Sequence, residues 1–75
     1  MSEIYNPQVL FGQGLRNLRE KRKLSQEKLA DKAGLDRTYI SSCERGKRNV
    51  SLSTICLIAK ALNLAPYELL MGLDK

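Results

Sequence analysis

At 75 residues, 43% hydrophobic and only 5% aromatic, the chain has room for one modest aliphatic core, which argues against a large concave pocket. Thirteen Lys and Arg outnumber eight Asp and Glu, for a net charge of +5. Residues 1–50 hold eleven of the cations and six of the acids, and residues 51–75 hold two of each, so all the excess positive charge lies in the first two thirds. Such a gradient suits a domain with one face on a polyanion and another free for self-association, although a basic solvated surface has the same totals.

Domains this small often gain stability from a metal, a disulfide or a partner subunit. The chain has no His, and Cys43 and Cys56 stand thirteen residues apart with no second ligand pair, so no metal and no cofactor is expected. Two cysteines leave a disulfide open. No secretory signal precedes them and both fall in apolar helical patterns, which reads as two reduced, packed thiols. A partner subunit remains as the expected stabiliser. No apolar run approaches the ~20 residues a membrane span needs, and the N-terminal stretch lacks the basic and apolar regions of a signal peptide. No membrane association is expected, and the expected location is the cytoplasm.

In chain order, residues 1–6 read as a flexible tail. Pro7 suits the first turn of a helix, and Leu10, Phe11, Leu15 and Leu18 recur at helical spacing, predicting a first helix from Pro7 to Arg22. Gly12 and Gly14 weaken it by about 1 kcal/mol each. Lys21, Arg22 and Lys23 sit at the favourable end of its dipole. Ser25 caps a second helix, with Lys28 where a capping box needs Glu; its narrow apolar stripe is Leu29, Ala30 and Ala33, and Gly34 stops it. Asp36 caps a third helix from Arg37 to Arg45, with Ile40 and Cys43 inward and Gly46 as its stop. Lys47, Arg48 and Asn49 form a basic loop. Ser51 caps a fourth helix with Leu52, Ile55, Ile58, Ala59 and Leu62 at core spacing, and Asn63 and Leu64 turn. Pro66 and Glu68 open a short fifth helix holding Leu69 and Leu70, ended by Gly72. The whole of 1–75 is read as a single all-α domain of five short helices, with no repeats and no strand-like alternation.

Two short helices joined by a Gly-containing turn, the first with small apolar residues that allow close crossing, are what a helix-turn-helix requires over residues 26–45. The second helix of the pair then offers its polar N-terminal face to a DNA major groove. Residues 11–70, about four fifths of the chain, resemble the helix-turn-helix domain of phage lambda Cro and cI repressors and the xenobiotic-response-element type regulators. The stretches Leu24-Ser25-Gln26-Glu27-Lys28-Leu29-Ala30-Asp31-Lys32-Ala33-Gly34-Leu35 and Tyr39-Ile40-Ser41-Ser42-Cys43-Glu44-Arg45-Gly46-Lys47-Arg48-Asn49 carry the resemblance. The short length and the run Leu35-Asp36-Arg37-Thr38-Tyr39-Ile40-Ser41 are most similar to the controller proteins of restriction–modification systems. The fold this implies is the compact five-helix bundle of lambda repressor-like domains.

The resemblance also implies roles. Arg37 would read a base through a bidentate bond to guanine, and Thr38 and Ser42 would reach base edges. Gln26 would contact a phosphate and brace the recognition helix. Ser41 and Tyr39 would touch the backbone or brace the helix, and Arg45, Lys47, Arg48 and Asn49 would hold phosphates. Arg19 and Glu44 would form a structural ion pair. Cys43 takes a place usually held by a bulky aliphatic, and Val50 replaces a common proline before Ser51. Leu57, Tyr67, Leu70 and Met71, within a dimerisation region at 52–71, would form a homodimer surface, unless some of them finish the core.

The function expected is a sequence-specific, homodimeric transcriptional regulator of double-stranded DNA, a restriction–modification controller, with RNA polymerase as a further partner. A Cro-like phage repressor predicts the same surface, and an antitoxin-type interaction module would use the same fold. No small-molecule ligand is expected, since no stretch is left for an effector domain. No enzyme is expected either: no nucleophile–base pair, metal set or phosphate-cradling loop is present.

Overall fold

A computed structural model of the chain describes residues 5–74. Five helices follow in order: α1 Pro7–Lys21, α2 Gln26–Ala33, α3 Arg37–Glu44, α4 Leu52–Ala61 and α5 Pro66–Leu70, the last running into a 3₁₀ turn at Met71–Leu73. Among the described residues there is no strand, and the chain is all-α as its sequence predicts.

Each helix starts where a side-chain oxygen can satisfy its free N–H groups. Ser25 accepts from Lys28 N, Asp36 from Thr38 N, and Ser51 from Thr54 N. Ala65 has no oxygen to offer, and the Glu68 carboxylate instead accepts the Ala65 N–H at 3.0 Å. Asn6 caps α1 by accepting from Gln8 N and Val9 N. This corrects the expected tail at 1–6: residues 1–4 lie outside the described residues, but Asn6 begins the first helix. Tyr5 is also engaged, donating its hydroxyl to the Leu73 carbonyl at 2.8 Å.

The helix ends share one device. Lys23, Gly34, Gly46 and Asn63 all take positive φ, from 57° to 75°. In each case the next residue's N–H closes back onto a carbonyl five residues earlier: Leu24 to Arg19, Leu35 to Ala30, Lys47 to Ser42 and Leu64 to Ala59. Leu24, Leu35 and Leu64 then fold onto the core. Gly34 and Gly46 are legible stops, whereas Lys23 takes a conformation that L-residues with a Cβ rarely favour. Arg22 reaches from this turn to the end of α4, donating Nε to the Leu62 carbonyl at 2.7 Å.

All five helices contribute to one core, in which Leu15, Leu29, Ile40, Ile58, Leu62 and Leu69 are fully buried with Cys43. Leu52 is not part of it. It lies 78% exposed at the start of α4, and Cys56, one turn along on the same outward side, is exposed too. Ile55, Ile58, Ala59 and Leu62 fill the inward side, so neither Leu52 as a core residue nor Cys56 as a packed thiol holds. Leu70 is half-buried against the core, and Gly72 does not end the last helix, since the 3₁₀ turn carries Leu73 onto the same core.

The two glycines of α1 are not alike. α1 crosses the C-terminal end of α3 so closely that a Cβ on Gly12 would sit 2.8 Å from the Glu44 carbonyl oxygen and closer still to that of Cys43. Gly12 is thus the residue that permits the crossing. A Cβ on Gly14 would meet nothing within 4 Å. Gly14→Ala is therefore expected to stabilise the fold by about 1 kcal/mol, the ordinary helix-interior gain. Gly12→Ala should cost about 3 kcal/mol or more, because backbone must move. Urea denaturation of both variants checks the pair: equal shifts in the same direction would show that the close crossing is wrong.

Candidate nucleic-acid interface

The site is α2, the turn Gly34-Leu35-Asp36 and α3. Gly34 supplies the left-handed turn, Leu35 anchors it on the core, and Asp36 starts α3. The Asp36 carboxylate accepts both the Thr38 N–H at 3.0 Å and the Thr38 hydroxyl at 2.9 Å. These two bonds hold its carboxyl below the usual carboxylate range.

On the inner side, α3 is fixed by a buried polar cluster. Glu44 Oε2 accepts from Arg19 Nε at 2.6 Å, and Oε1 accepts from Arg19 Nη2 and from Gln26 Nε2, both at 3.0 Å. Arg19 Nη1 donates to the Leu24 carbonyl at 2.7 Å. The Arg19 and Glu44 side chains are only 10% and 4% exposed. The fork-to-carboxylate geometry is bidentate, and the bond to Glu44 raises the Arg19 pKa above its ordinary value. The structure thus places the ion pair where the resemblance implies it, and adds Gln26 as its third member. Cys43 lies in the core beside it, and burial pushes its thiol pKa up. A buried thiol held protonated is a packing group, not a nucleophile.

The outer side of α3 carries the other predicted residues. At about 100° per residue, Arg37, Ser41, Arg45, Thr38 and Ser42 fall within one arc of about 140°. Arg37, Thr38 and Arg45 are exposed; Ser41 and Ser42 are half-buried. Their polar atoms are partly engaged within the domain. Ser42 Oγ donates to the Thr38 carbonyl at 2.9 Å, and Arg45 donates to Ser41 Oγ. Arg37 Nη1 makes a longer 3.5 Å contact with Gln26 Oε1. Tyr39 stands at the border between this arc and the core, half-buried, with the Arg48 guanidinium carbon 4.9 Å from its ring centre. Lys47 and Asn49 are exposed in the loop beyond.

Three cations of this face, Arg37, Arg45 and Arg48, rest against neutral partners. Among the described residues the two ion pairs are Arg16–Glu20 and Arg19–Glu44, and neither involves Arg37, Arg45, Lys47 or Arg48. Among the described residues no acid pairs with these four cations. The contacts of Gln26 with Glu44 and of Arg48 with Tyr39, 18 and 9 residues apart, were not legible in the sequence, and the Asp36 cap was legible without its second bond, from the Thr38 hydroxyl. Leu57, Tyr67 and Met71 are 46%, 66% and 62% exposed, while Leu70 is half-buried against the core.

Residues 15–69 match a family model described as helix-turn-helix. The chain belongs to the helix-turn-helix family. It is 54% identical over 66 residues to the control protein C.BamHI of Bacillus amyloliquefaciens, a match covering 87% of this chain and 82% of that protein. It is 49% identical over 61 residues to the control protein C.SmaI of Serratia marcescens, covering 81% and 73%. The crystal structure of the restriction-modification controller protein C.AhdI from Aeromonas hydrophila overlays with a TM-score of 0.80 at 56% identity, covering 81% of this chain and 92% of that one. As a helix-turn-helix protein the chain is a DNA-binding transcriptional regulator, of a family that is not an enzyme class. The matched residues include α2 and α3.

Two predictions follow from this geometry, the first from the buried ion pair. Glu44→Ala or Arg19→Ala leaves a buried charge unpaired and should destabilise the domain by about 3–5 kcal/mol, whereas replacing both with Met and Leu should recover much of that loss. Urea denaturation curves decide, and a pair of single variants within 1 kcal/mol of the parent would refute it. Second, Asp36 has a lowered folded pKa, so the stability it adds is complete above the ordinary value of 3.8 and is lost as pH falls through the lower folded value. Carboxyl NMR titration should place its midpoint below 3.8, and Thr38→Val should move it up.

Proposed function

We propose that this helix-turn-helix regulator is a restriction–modification controller protein that binds a pseudo-palindromic operator as a homodimer. The observation that carries the proposal is the α3 face: an exposed Arg37 at the helix start, short Thr38 and Ser42 beside it, and Arg45, Lys47 and Arg48 flanking them with no ion pair among the described residues. The similarity to proteins named as controllers supports the controller role.

Arg37 lies at the N-terminal end of α3, the end a recognition helix presents to base edges. Its guanidinium can take guanine O6 and N7 together, worth roughly 1–3 kcal/mol of discrimination. Thr38 donates its proton to Asp36, so it offers DNA a methyl group and oxygen lone pairs. That chemistry suits a thymine methyl or a base amino group. Ser42 reaches a neighbouring base edge. Gln26, with one amide N–H given to Glu44, keeps a second for a phosphate. Ser41, Tyr39, Arg45, Lys47, Arg48 and Asn49 contact or support the backbone, setting register and affinity.

One short helix reads only a few base pairs. Two copies related by a two-fold axis read half-sites about 34 Å apart. The exposed Leu57, Tyr67 and Met71, in the charge-balanced C-terminal third, form the surface through which two copies join, with Leu70 supporting it from the core. Double-stranded DNA, a second copy and RNA polymerase are its partners, and the cytoplasm its place of action. Among the described residues no single helix is long and apolar enough to cross a membrane.

Selection of bound duplexes from a random pool should return one pseudo-palindrome, and equal binding to every duplex would refute sequence-specific reading. On the selected operator, Arg37→Ala should lose discrimination at one base pair in each half-site. Leu57→Glu with Tyr67→Glu should give a monomer in sedimentation and weaken operator binding by at least tenfold, on the order of one interface anchor.

A further inference from the structure

We propose that Asp36 determines specificity as well as capping a helix: one oxygen of its carboxylate starts α3, and the other accepts a hydrogen bond from the amino group of a cytosine in the major groove. The proposal rests on the reading above, in which α3 presents its N-terminal end to base edges.

The division of labour is visible in the carboxylate itself. Both bonds from Thr38, its N–H at 3.0 Å and its hydroxyl at 2.9 Å, end on Oδ1. Among the described residues no bond reaches Oδ2, and neither ion pair involves Asp36. Asp36 precedes the helix, but the two bonds draw its carboxylate over the helix start to the side where Thr38 stands. Asp36, Arg37 and Thr38 are all exposed there. The same bonds hold the carboxyl below the usual range, so at neutral pH it is ionised and Oδ2 can only accept. A cap needs no second oxygen: Ser25 and Ser51 start α2 and α4 with one hydroxyl each. The charge of Asp36 favours the helix dipole, but it also stands on a face whose other charges are cations, where approaching phosphates repel it.

The groove chemistry of the four bases selects a partner for such an oxygen. Guanine presents two acceptors and thymine an acceptor beside a methyl group, and both repel a carboxylate. Adenine presents an amino group with an acceptor next to it. Cytosine presents an amino group alone, and an acidic side chain is its natural complement. A carboxylate brought against any other base loses water and gains no donor, so Asp36 discriminates as much by rejection as by attraction.

The experiment is selection of bound duplexes from a random pool by the full chain and by its Asp36→Asn, Asp36→Ser and Arg37→Ala variants. Asn and Ser are both strong N-caps, so the start of α3 survives either change, and either variant alone is sufficient. The parent should require cytosine at one position of each half-site, beside the base pair that Arg37→Ala relaxes. Asp36→Asn exchanges Oδ2 for an N–H donor. It should lose the cytosine preference by about fivefold or more, the lower end of one good base contact, and turn it toward guanine or thymine, whose edges accept. Asp36→Ser should admit all four bases there. Both should bind a random duplex more tightly than the parent, because a negative charge has left the face. Selection of one and the same operator by the parent and both Asp36 variants would overturn the proposal and leave Asp36 as a cap only, with the reading of Arg37 intact. So would a change confined to the base pair that Arg37→Ala relaxes, since Asp36 would then act only through Arg37. If neither the Asp36 variants nor Arg37→Ala altered the selected sequence, this proposal and the reading of α3 would fall together.

Discussion

The placement of α3 depends on one buried carboxylate. Glu44, near the end of α3, receives both arms of the Arg19 fork and the amide of Gln26, while Arg19 also holds the Leu24 carbonyl. Three segments distant in sequence are thereby fixed to one another: the end of α1, the turn into α2 and the end of α3. An eight-residue helix has little stability of its own, so its orientation must come from tertiary contacts. The apolar side of α3 contributes Ile40 and Cys43, which bury surface but specify angle only loosely. The bidentate pair specifies it tightly, because a guanidinium and a carboxylate meet in a plane and over a narrow range of distance.

The same arrangement sorts the charges. A basic face needs cations, and a folded chain tends to pair them with its own acids. Here the acid nearest the recognition helix is turned inward and used up by Arg19, and one oxygen of Asp36 is held by Thr38 in the first turn of α3. What remains outside is Arg37, Arg45, Lys47 and Arg48 beside an amide, a hydroxyl and a ring. On the proposed reading, docking onto DNA would draw on these cations without first breaking an ion pair among the described residues. Affinity supplied by a basic face of this kind is largely electrostatic and sensitive to salt, and on the proposed reading base discrimination would fall to the few groups at the start of α3.

Much of this was legible in the sequence, and the misses have a common cause. Ser25, Asp36 and Ser51 as caps, and Gly34 and Gly46 as stops, are local signals, and each acts within four residues of where it is written. The helices they delimit appear where expected. Gly12 was misread as a weakness because its partner, the backbone of Cys43 and Glu44, is some thirty residues away. Leu52 and Cys56 looked like core because apolar periodicity does not say which side of α4 the rest of the chain will cover. Lys23 gave no warning of its left-handed turn, since nothing in its side chain favours one. Asn6 is a recognisable cap type, but nothing in the short stretch before it marks a helix boundary. Within the site, residue types pointed to DNA, while the pairings that orient them became visible only in three dimensions.

Repetition of the same closing turn at Lys23, Gly34, Gly46 and Asn63 has an architectural consequence. Every helix from α1 to α4 is stopped by hydrogen bonds within a single turn, three of the four turns are nailed to the core by a leucine, and the ends of the described chain are joined by Tyr5 and Leu73. The connections α1–α2, α2–α3 and α4–α5 are therefore short and closed, and the longer one from α3 to α4 is closed at its start. Such a domain behaves as a fixed gauge, not as a jointed tool. Where two copies act together, a half-site set slightly too near or too far cannot be met by the protein stretching. The difference must be taken up by twist and bend in the duplex, so that base pairs lying between the recognition helices, touched by neither, enter the energy of recognition through their stiffness.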